Sequence, residues 1–496
     1  MPPKKLKILY VTSEVVPFVK TGGLADVSSA LPQKLQEQGH QVRIVVPKYG
    51  AIDERKYKIH EVVRLKDLDV KIGEKDVVFS LRSSFLIGPK VRVQIYFLDN
   101  HEYYGSRHSL YADPLTGNDF PDNDERFILL ARSVFELILK LGWVPDVIHC
   151  NDWQCGLIPA YLKTMFKDHE MFQNIKTLFT IHNLSYQGVF PKATFKKTGL
   201  PEELNTANGM IHNGKVNFMK AGLNYSDTIN TVSETYAEEI CNDEELSSGM
   251  HKILKRRKDD VFGIVNGIDD RIWNPSTDKL IEKKYSLKNL DDKKLNKRAL
   301  SEKFGFDYNP DRPTIGIISR LYDHKGFDLL EKAFPALMKL DLNLILLGTG
   351  DKKYHKFFES AVMDYSDKFY CYLGFDDELA HLIEAGSDMY LMPSKYEPCG
   401  LNQMYSLMYG TVPIVRETGG LADTVENYDP KEDTGNGFSF QKYDPKELVK
   451  TVKAALDIYT NDPKTWTKIM KNGMKSNFTW LNSSKLYVDL YKKVIS

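Results

Sequence analysis

Lys20-Thr21-Gly22-Gly23-Leu24-Ala25-Asp26-Val27 follows an apolar run, Leu6 to Val11, and opens an amphipathic run that stops at Gly39. Leu24, Val27, Leu31 and Leu35 step by three or four, which places them on one helical face. Gly39 suits the left-handed backbone that ends a helix. Val42 to Val46 is a second short apolar run. The first stretch is therefore strand, glycine loop, helix and strand, and near-continuous apolar strands of this kind belong to a buried parallel sheet. The hexapeptide Thr-Gly-Gly-Leu-Ala-Asp returns at Thr418 to Asp423, again behind an apolar run, Val412 to Val415. The repeat predicts two similar α/β domains, each presenting a glycine loop to a shared cleft.

The chain between the two copies keeps that rhythm. Val77 to Leu86 and Val91 to Phe97 alternate like strands, Asp113 to Asp124 reads as a loop, and Phe127 to Leu141 reads as a helix. Asp146 to Cys150 leads into Asn151-Asp152-Trp153, and Leu178 to Ile181 leads into His182-Asn183. Thr228 to Val232 and Gly263 to Val265 read as further strands. Ser276 to Lys303 is dense in Lys and Asp, with helical spacing at Leu287, Leu290 and Leu295, and reads as a solvated arm. Strands then resume at Ile315 to Ile318, Leu342 to Leu347, Phe369 to Leu373, Met389 to Met392 and Val412 to Val415. Composition puts a domain border in the charged arm. A last helix carries Trp480, Leu481, Leu486 and Leu490, and its domain is not readable from pattern. Polar and glycine residues follow strand after strand, and in open α/β sheets the ligand crevice lies at those C-terminal ends.

Several function classes are excluded or left without support. The 496 residues need more than one core. Lys+Arg and Asp+Glu are both 67, so no basic excess points to nucleic acid or an anionic membrane. No run approaches the ~18 apolar residues of a membrane helix. Glu14 ends the first apolar run too early for a signal peptide. The 5 cysteines are scattered and form no Cys-x-x-Cys, which fits a reducing compartment. A soluble, cytoplasmic protein is expected. A dinucleotide fingerprint is missing: the first loop lacks Gly-x-Gly-x-x-Gly, and Gly348-Thr349-Gly350 has Lys353 where the third glycine belongs. A P-loop is missing too. The 12 histidines form no short ligand pair, so no metal site is expected.

The strand-end loops carry anion-binding chemistry. Lys20 lies beside Gly22 and Gly23, and Arg320 and Lys325 lie in Ser319-Arg320-Leu321-Tyr322-Asp323-His324-Lys325-Gly326. Amides at a helix start bind anions, an Arg fork grips phosphate oxygens, and Lys adds a point charge. Together they suit a diphosphate leaving group. The plainer reading is ordinary surface charge. His182 reads equally as a satisfied structural histidine, with Asn183 and Tyr186 beside it offering a sugar-like lining. Glu397 reads as an acid at a helix start, and Cys399 as an inert thiol, since position near a helix start does not by itself make a nucleophile.

These motifs resemble those of the bacterial glycogen synthase and plant starch synthase family. The likeness is carried by Lys20 to Val27, Asn151-Asp152-Trp153, Thr180 to Leu184, Val265 to Asp269, Ser319-Arg320-Leu321 with Lys325-Gly326, Pro393 to Leu401 and Thr418 to Thr424. The matches are collinear and cover nearly the whole chain. The resemblance implies a GT-B fold, two Rossmann-like doubly wound domains facing across a deep cleft. It implies domains over residues 1–262 and 263–475, with 476–496 returning to the first, so the charged arm falls in the second. It implies retaining transfer of glucose from ADP-glucose, a co-substrate, to the 4-hydroxyl of glycogen or a malto-oligosaccharide, with no cofactor or metal. Arg320 and Lys325 would hold the diphosphate, Glu397 would orient the donor with Cys399, Gly400 and Leu401 nearby, and His182 would lie near the glucose. Lys20, Gly22, Gly23, Asp26, Asp152, Trp153, Asn183, Asn266 and Thr418 would line the substrate, and the amides of Gly419 and Gly420 would sit at the diphosphate. The Glu-x7-Glu pattern of related families is absent, since position 405 is Tyr. Front-face attack, with the departing phosphate taking the acceptor proton, is therefore expected. A UDP-glucose-dependent transferase of the same fold and a catalytically silent glucan-binding protein stay open, and oligomeric state is unread.

Overall fold

The computed structural model describes residues 5–496. Within them the chain divides into two compact units. The first holds the residues through Val232, Ala237–Ile264 and Trp480–Ser496; the second holds Ser233–Tyr236 and Val265–Thr479.

The described residues of the first unit form a nine-stranded sheet ordered Val261–Gly263, Thr228–Thr231, Lys176–Ile181, Val147–Asn151, Lys7–Val11, Gln41–Pro47, Arg92–Asp99, Lys75–Ile87 and Leu68–Ile72. The strands from Val261–Gly263 to Arg92–Asp99 run parallel, with Ile8 paired to Val42 on one side and to Val147 on the other. The last two strands are antiparallel. Helix Gly23–Glu37 buries Leu24, Val27, Leu31 and Leu35 against the sheet side, as the spacing predicts. Each such side chain removed from water stabilises by roughly 1.5–3 kcal/mol. The helix ends where Gly39 takes φ +91°. Strand Leu68–Ile72 and the small sheet of Val189–Phe190, Ile211–His212 and Lys215–Asn217 were not expected; the small sheet's two- and three-residue strands carry too little periodicity to read, whereas Leu68–Ile72 does alternate and was passed over.

The final helix, Trp480–Ile495, belongs to the first unit. Of the apolar residues noted in it, Trp480 and Leu490 are buried and Leu481 and Leu486 are exposed, while Tyr487 and Tyr491 are fully buried. Their hydroxyls end a polar chain under the sheet. Asn230 Nδ2 donates to Tyr487 at 3.0 Å, and Tyr491 lies 2.7 Å from His149 Nδ1.

The second unit carries a six-stranded, wholly parallel sheet ordered Phe369–Leu373, Asn343–Gly348, Thr314–Ile318, Met389–Met392, Val412–Arg416 and Phe438–Phe440. The charged stretch is not a free arm. Leu287 and Leu295 are exposed, but helix Lys293–Phe304 sinks two lysines into the unit. Lys293 donates to Ala385 O at 2.8 Å and Thr411 Oγ1 at 2.7 Å. Lys297 pairs with Asp388 at 2.8 Å and caps the Arg312 carbonyl at 2.8 Å. Long aliphatic stems let such residues pack while their heads find partners. Among the described residues no helix is long and apolar enough to cross a membrane.

Candidate active site

Each parallel sheet has a point where strand order reverses, and ligand crevices form beyond the strand ends there. In the first unit it lies between Lys7–Val11 and Val147–Asn151; in the second, between Thr314–Ile318 and Met389–Met392. The chain leaving these strands is the set of loops that carry the motifs.

In the first unit, the loop after Lys7–Val11 is organised by Glu14, which is 4% exposed. Its carboxylate accepts from Thr21 N at 2.6 Å, Thr21 Oγ1 at 2.5 Å, Gly22 N at 3.2 Å and Tyr111 OH at 2.7 Å. This corrects the expectation that the Gly22 amide meets a ligand anion: it already holds an internal one. Gly22 still presents open space, since an added Cβ would meet no protein atom within 4 Å. Lys20 is exposed and pairs with Asp26 at 2.8 Å; an exposed pair of this kind costs little to break.

At the end of Val147–Asn151, Asp152 adopts φ +54° and ψ −176°, a region nearly reserved for glycine and strained for other residues. The strain turns its carboxylate onto the next strand end, where it accepts from His182 N at 2.7 Å and also from the Asn183 amide. Burial raises its pKa to about 7, against those two bonds. Desolvation lowers His182 to about 3, so its ring is neutral. Trp153, expected to line the substrate, is buried. It packs edge-on to Phe127 at 4.8 Å and so tightly under Gly188 that a Cβ there would stand 2.2 Å from the indole.

In the second unit, Lys325 Nζ lies 2.6 Å from Glu397 Oε2, and both are largely buried. Ser394 Oγ donates to the same oxygen at 3.2 Å. Gly326 makes this possible: at φ +83°, a Cβ would stand 2.1 Å from the Pro393 carbonyl oxygen. Lys325 also lines a small recess with Ser319, Met392 and Ser394. Arg320 is exposed. Its guanidinium lies 5.8 Å over the Tyr322 ring, and among the described residues it makes no hydrogen bond or ion pair. Tyr322, His324 and Tyr396 stack at 5.8 and 5.5 Å. Desolvation first, then the neighbouring cations, holds His324 down at about 4.

Cys399 is buried and accepts from Asn266, and burial pushes its thiol up to about 12. It is inert packing beneath the loop. Gly400 turns at φ +72°, and Gln403 Nε2 ties the Cys399 and Gly400 carbonyls at 3.0 and 3.1 Å just before Leu401 leads into helix Asn402–Met408. Thr418 is buried. The Gly420 amide donates to the Glu397 and Pro398 carbonyls at 3.1 and 3.2 Å, so the expectation that it faces a diphosphate is corrected. Gly419 and Gly420 are glycine because the Glu397–Cys399 backbone passes against them; added Cβ atoms would stand 2.0 and 2.1 Å from its carbonyls. The two hexapeptides diverge at their acids as well: Asp26 holds Lys20, while Asp423 accepts from Ser233 Oγ and Thr235 Oγ1 at 2.5 Å. Tyr405, where a second acid was sought, stacks on Trp273 at 4.1 Å. Among the described residues no His, Cys, Asp and Glu group is placed to hold a metal ion.

Glu14 is the residue that motif reading passed over. An acid interrupting an apolar run just before a glycine loop was its only signal.

Comparison with known proteins agrees with this geometry over the full chain. Residues 7–256 match the starch synthase catalytic domain and residues 300–475 match glycosyl transferases group 1. Glycogen synthases of Thermotoga maritima and Geotalea daltonii are 43% and 44% identical, each alignment covering 99% of both chains. The catalytic domain of starch synthase IV from Arabidopsis thaliana, solved bound to ADP and acarbose, superposes with a TM-score of 0.88 at 29% identity, covering 99% of this chain and 100% of that one. A sucrose-phosphate synthase from Thermosynechococcus elongatus shares the fold alone, at TM-score 0.58 and 18% identity. The fold is thus GT-B, and the chain belongs to the glycogen and starch synthase family of glycosyltransferases.

Proposed function

We propose that this enzyme transfers glucose from ADP-glucose to the non-reducing 4-hydroxyl of an α-1,4-glucan, glycogen or a malto-oligosaccharide, with retention of configuration. The observation that carries the reading is the second unit's switch point. An exposed guanidinium, Arg320, stands there without an anionic partner among the described residues, close in sequence to Lys325, which pairs with Glu397, itself held by Ser394. That leaves Arg320 as the cation open to phosphate oxygens, with the ion-paired Lys325 in the same loop. The Arabidopsis thaliana relative bound to ADP and acarbose supports an adenine nucleotide and a saccharide.

In the proposed step the bond between the anomeric carbon and the diphosphate oxygen breaks first. Arg320 and Lys325 stabilise the charge that develops on the departing oxygen. The acceptor hydroxyl attacks the same face, and its proton passes to that phosphate oxygen. No protein nucleophile is needed, and trapping a covalent glycosyl-enzyme would sink the scheme. His182 lies near the glucose, fixed by Asp152, and Lys20 exchanges Asp26 for the donor. The donor is a co-substrate, and no cofactor or metal enters. The reaction is placed in the cytoplasm, which the free cysteines support.

Incorporation of labelled glucose into glycogen tests the reading directly. Incorporation from ADP-glucose, well above that from UDP-glucose, is expected. Preference for UDP-glucose would move the enzyme to the other donor class. Glycogen binding without incorporation from either would overturn the proposal.

A further inference from the structure

His182 is gripped twice, by consecutive residues of one strand end. Asp152 holds its backbone amide at 2.7 Å. Asn151, wholly buried, holds its ring: His182 Nε2 lies 2.9 Å from Asn151 Oδ1. The direction of that second bond can be settled from chemistry. Asn151 Nδ2 donates to the Val11 carbonyl at 2.9 Å, with the His149 carbonyl at 3.5 Å. Carbonyl oxygens only accept, so the amide nitrogen must face them and Oδ1 must face the histidine. Tyr10 OH donates to the same Oδ1 at 3.1 Å, which agrees. A pure acceptor at 2.9 Å requires the hydrogen on Nε2. The neutral ring then keeps its lone pair on Nδ1, and the residue as a whole is part-exposed.

We infer that Asn151 is a positioning residue which fixes His182 as the Nε2–H tautomer, so that Nδ1 meets the substrate only as a hydrogen-bond acceptor. His182 then recognises a substrate hydroxyl and cannot protonate a leaving group. The ring is locked because Asn151 is itself locked. Its amide is clamped to the central strand Lys7–Val11, in the middle of the first unit's sheet. A buried donor left without its acceptor is costly, so rotating the ring to offer Nδ1–H is opposed. The kinetic part of this inference rests on the glucosyltransferase reading; the tautomer part does not.

The test combines spectroscopy and kinetics on the full-length enzyme. With histidine labelled in its ring nitrogens, and His182 assigned by the signal lost in His182→Asn, the wild-type spectrum should show a protonated Nε2 and a bare Nδ1. Asn151→Leu, close in volume but unable to accept, should give a tautomer mixture or a Nδ1–H ring. Its kcat should fall on the order of 10-fold, the loss of one such hydrogen bond, with the KM for glycogen little changed. A Nδ1–H ring in the wild type overturns the inference and needs no variant. So does Asn151→Leu that keeps a single Nε2–H tautomer, or that changes tautomer at unchanged kcat. Absence of turnover by the wild type with ADP-glucose and UDP-glucose would defeat the functional proposal instead, and the wild-type tautomer would still decide this one.

Discussion

Arg320 concentrates the chemistry into one side chain. It is exposed, it leans on Tyr322, and Lys325 beside it is already neutralised by Glu397. Arg320→Ala should therefore lower kcat by about 10²–10³-fold, the usual range for losing one donor to a developing anion, while glycogen binding stays intact. Equal losses in both, measured by steady-state kinetics and glycogen co-sedimentation, would count against its role. His324 gives a second prediction. Its pKa is about 4 in the folded chain, against 6.5 for an ordinary imidazole. The unfolded chain therefore takes up a proton that the folded one refuses. The stability this represents is complete above pH 6.5 and is lost as pH falls toward 4. His324→Phe keeps the stack with Tyr322 and Tyr396 and should flatten the fall in Tm between pH 7 and 5. An unchanged slope would show that the ring does not contribute. Residues of this kind divide sharply in legibility. Arg320 and Lys325 announce themselves as cations after a strand. Glu14 and Asn151 do not, because their partners, Tyr111 and His182, lie far along the chain and meet them only after the sheet forms.

The turn between strand Thr314–Ile318 and helix Phe327–Leu337 shows how an element sets the site. Gly326 ends the short turn Asp323–Lys325 in the left-handed region, pressed against the Pro393 carbonyl. Gly326→Ala should cost at least about 1–3 kcal/mol from the backbone alone, and the 2.1 Å approach adds to it. Because the loop carrying Glu397 must move away, activity should fall further than urea denaturation of the same variant accounts for; parallel losses would refute the link. Helix Lys293–Phe304 makes the opposite point. Charge density suggests a solvated segment, yet Lys293 is buried, with desolvation drawing its pKa down to about 7. A lysine reads as surface unless carbonyls are waiting for it, and the waiting Ala385 and Thr411 are remote in sequence.

For the whole molecule, the first unit is closed by the far end of the chain. Tyr487 and Tyr491 complete a buried polar chain through Asn230, Thr180 and His149 to the strands behind the candidate site. Deleting Trp480–Ser496 leaves those groups without partners and opens an apolar seat under Trp480 and Leu490. Several kcal/mol should be lost, since each buried unpaired group costs roughly 1–3 kcal/mol and each large cavity more. Limited proteolysis should then cut within residues 5–264 before it cuts within Val265–Thr479; the reverse order would refute this assignment. The alternation of strands and helices along the chain, the helix face at Leu24 to Leu35 and the repeated hexapeptide could all be read beforehand, because local periodicity and glycine chemistry are written in consecutive residues. From them came the paired α/β architecture and the family. The work done by the two glycine loops could not be read that way. Gly22 holds Glu14, Gly420 holds the Glu397 backbone, and the final helix buries Tyr487 and Tyr491 beside Leu490 while leaving Leu481 and Leu486 exposed. Each of these depends on which distant atom arrives beside an amide or hydroxyl. A hydrogen bond's direction and partner are properties of packing, whereas an apolar stripe is already a property of the chain.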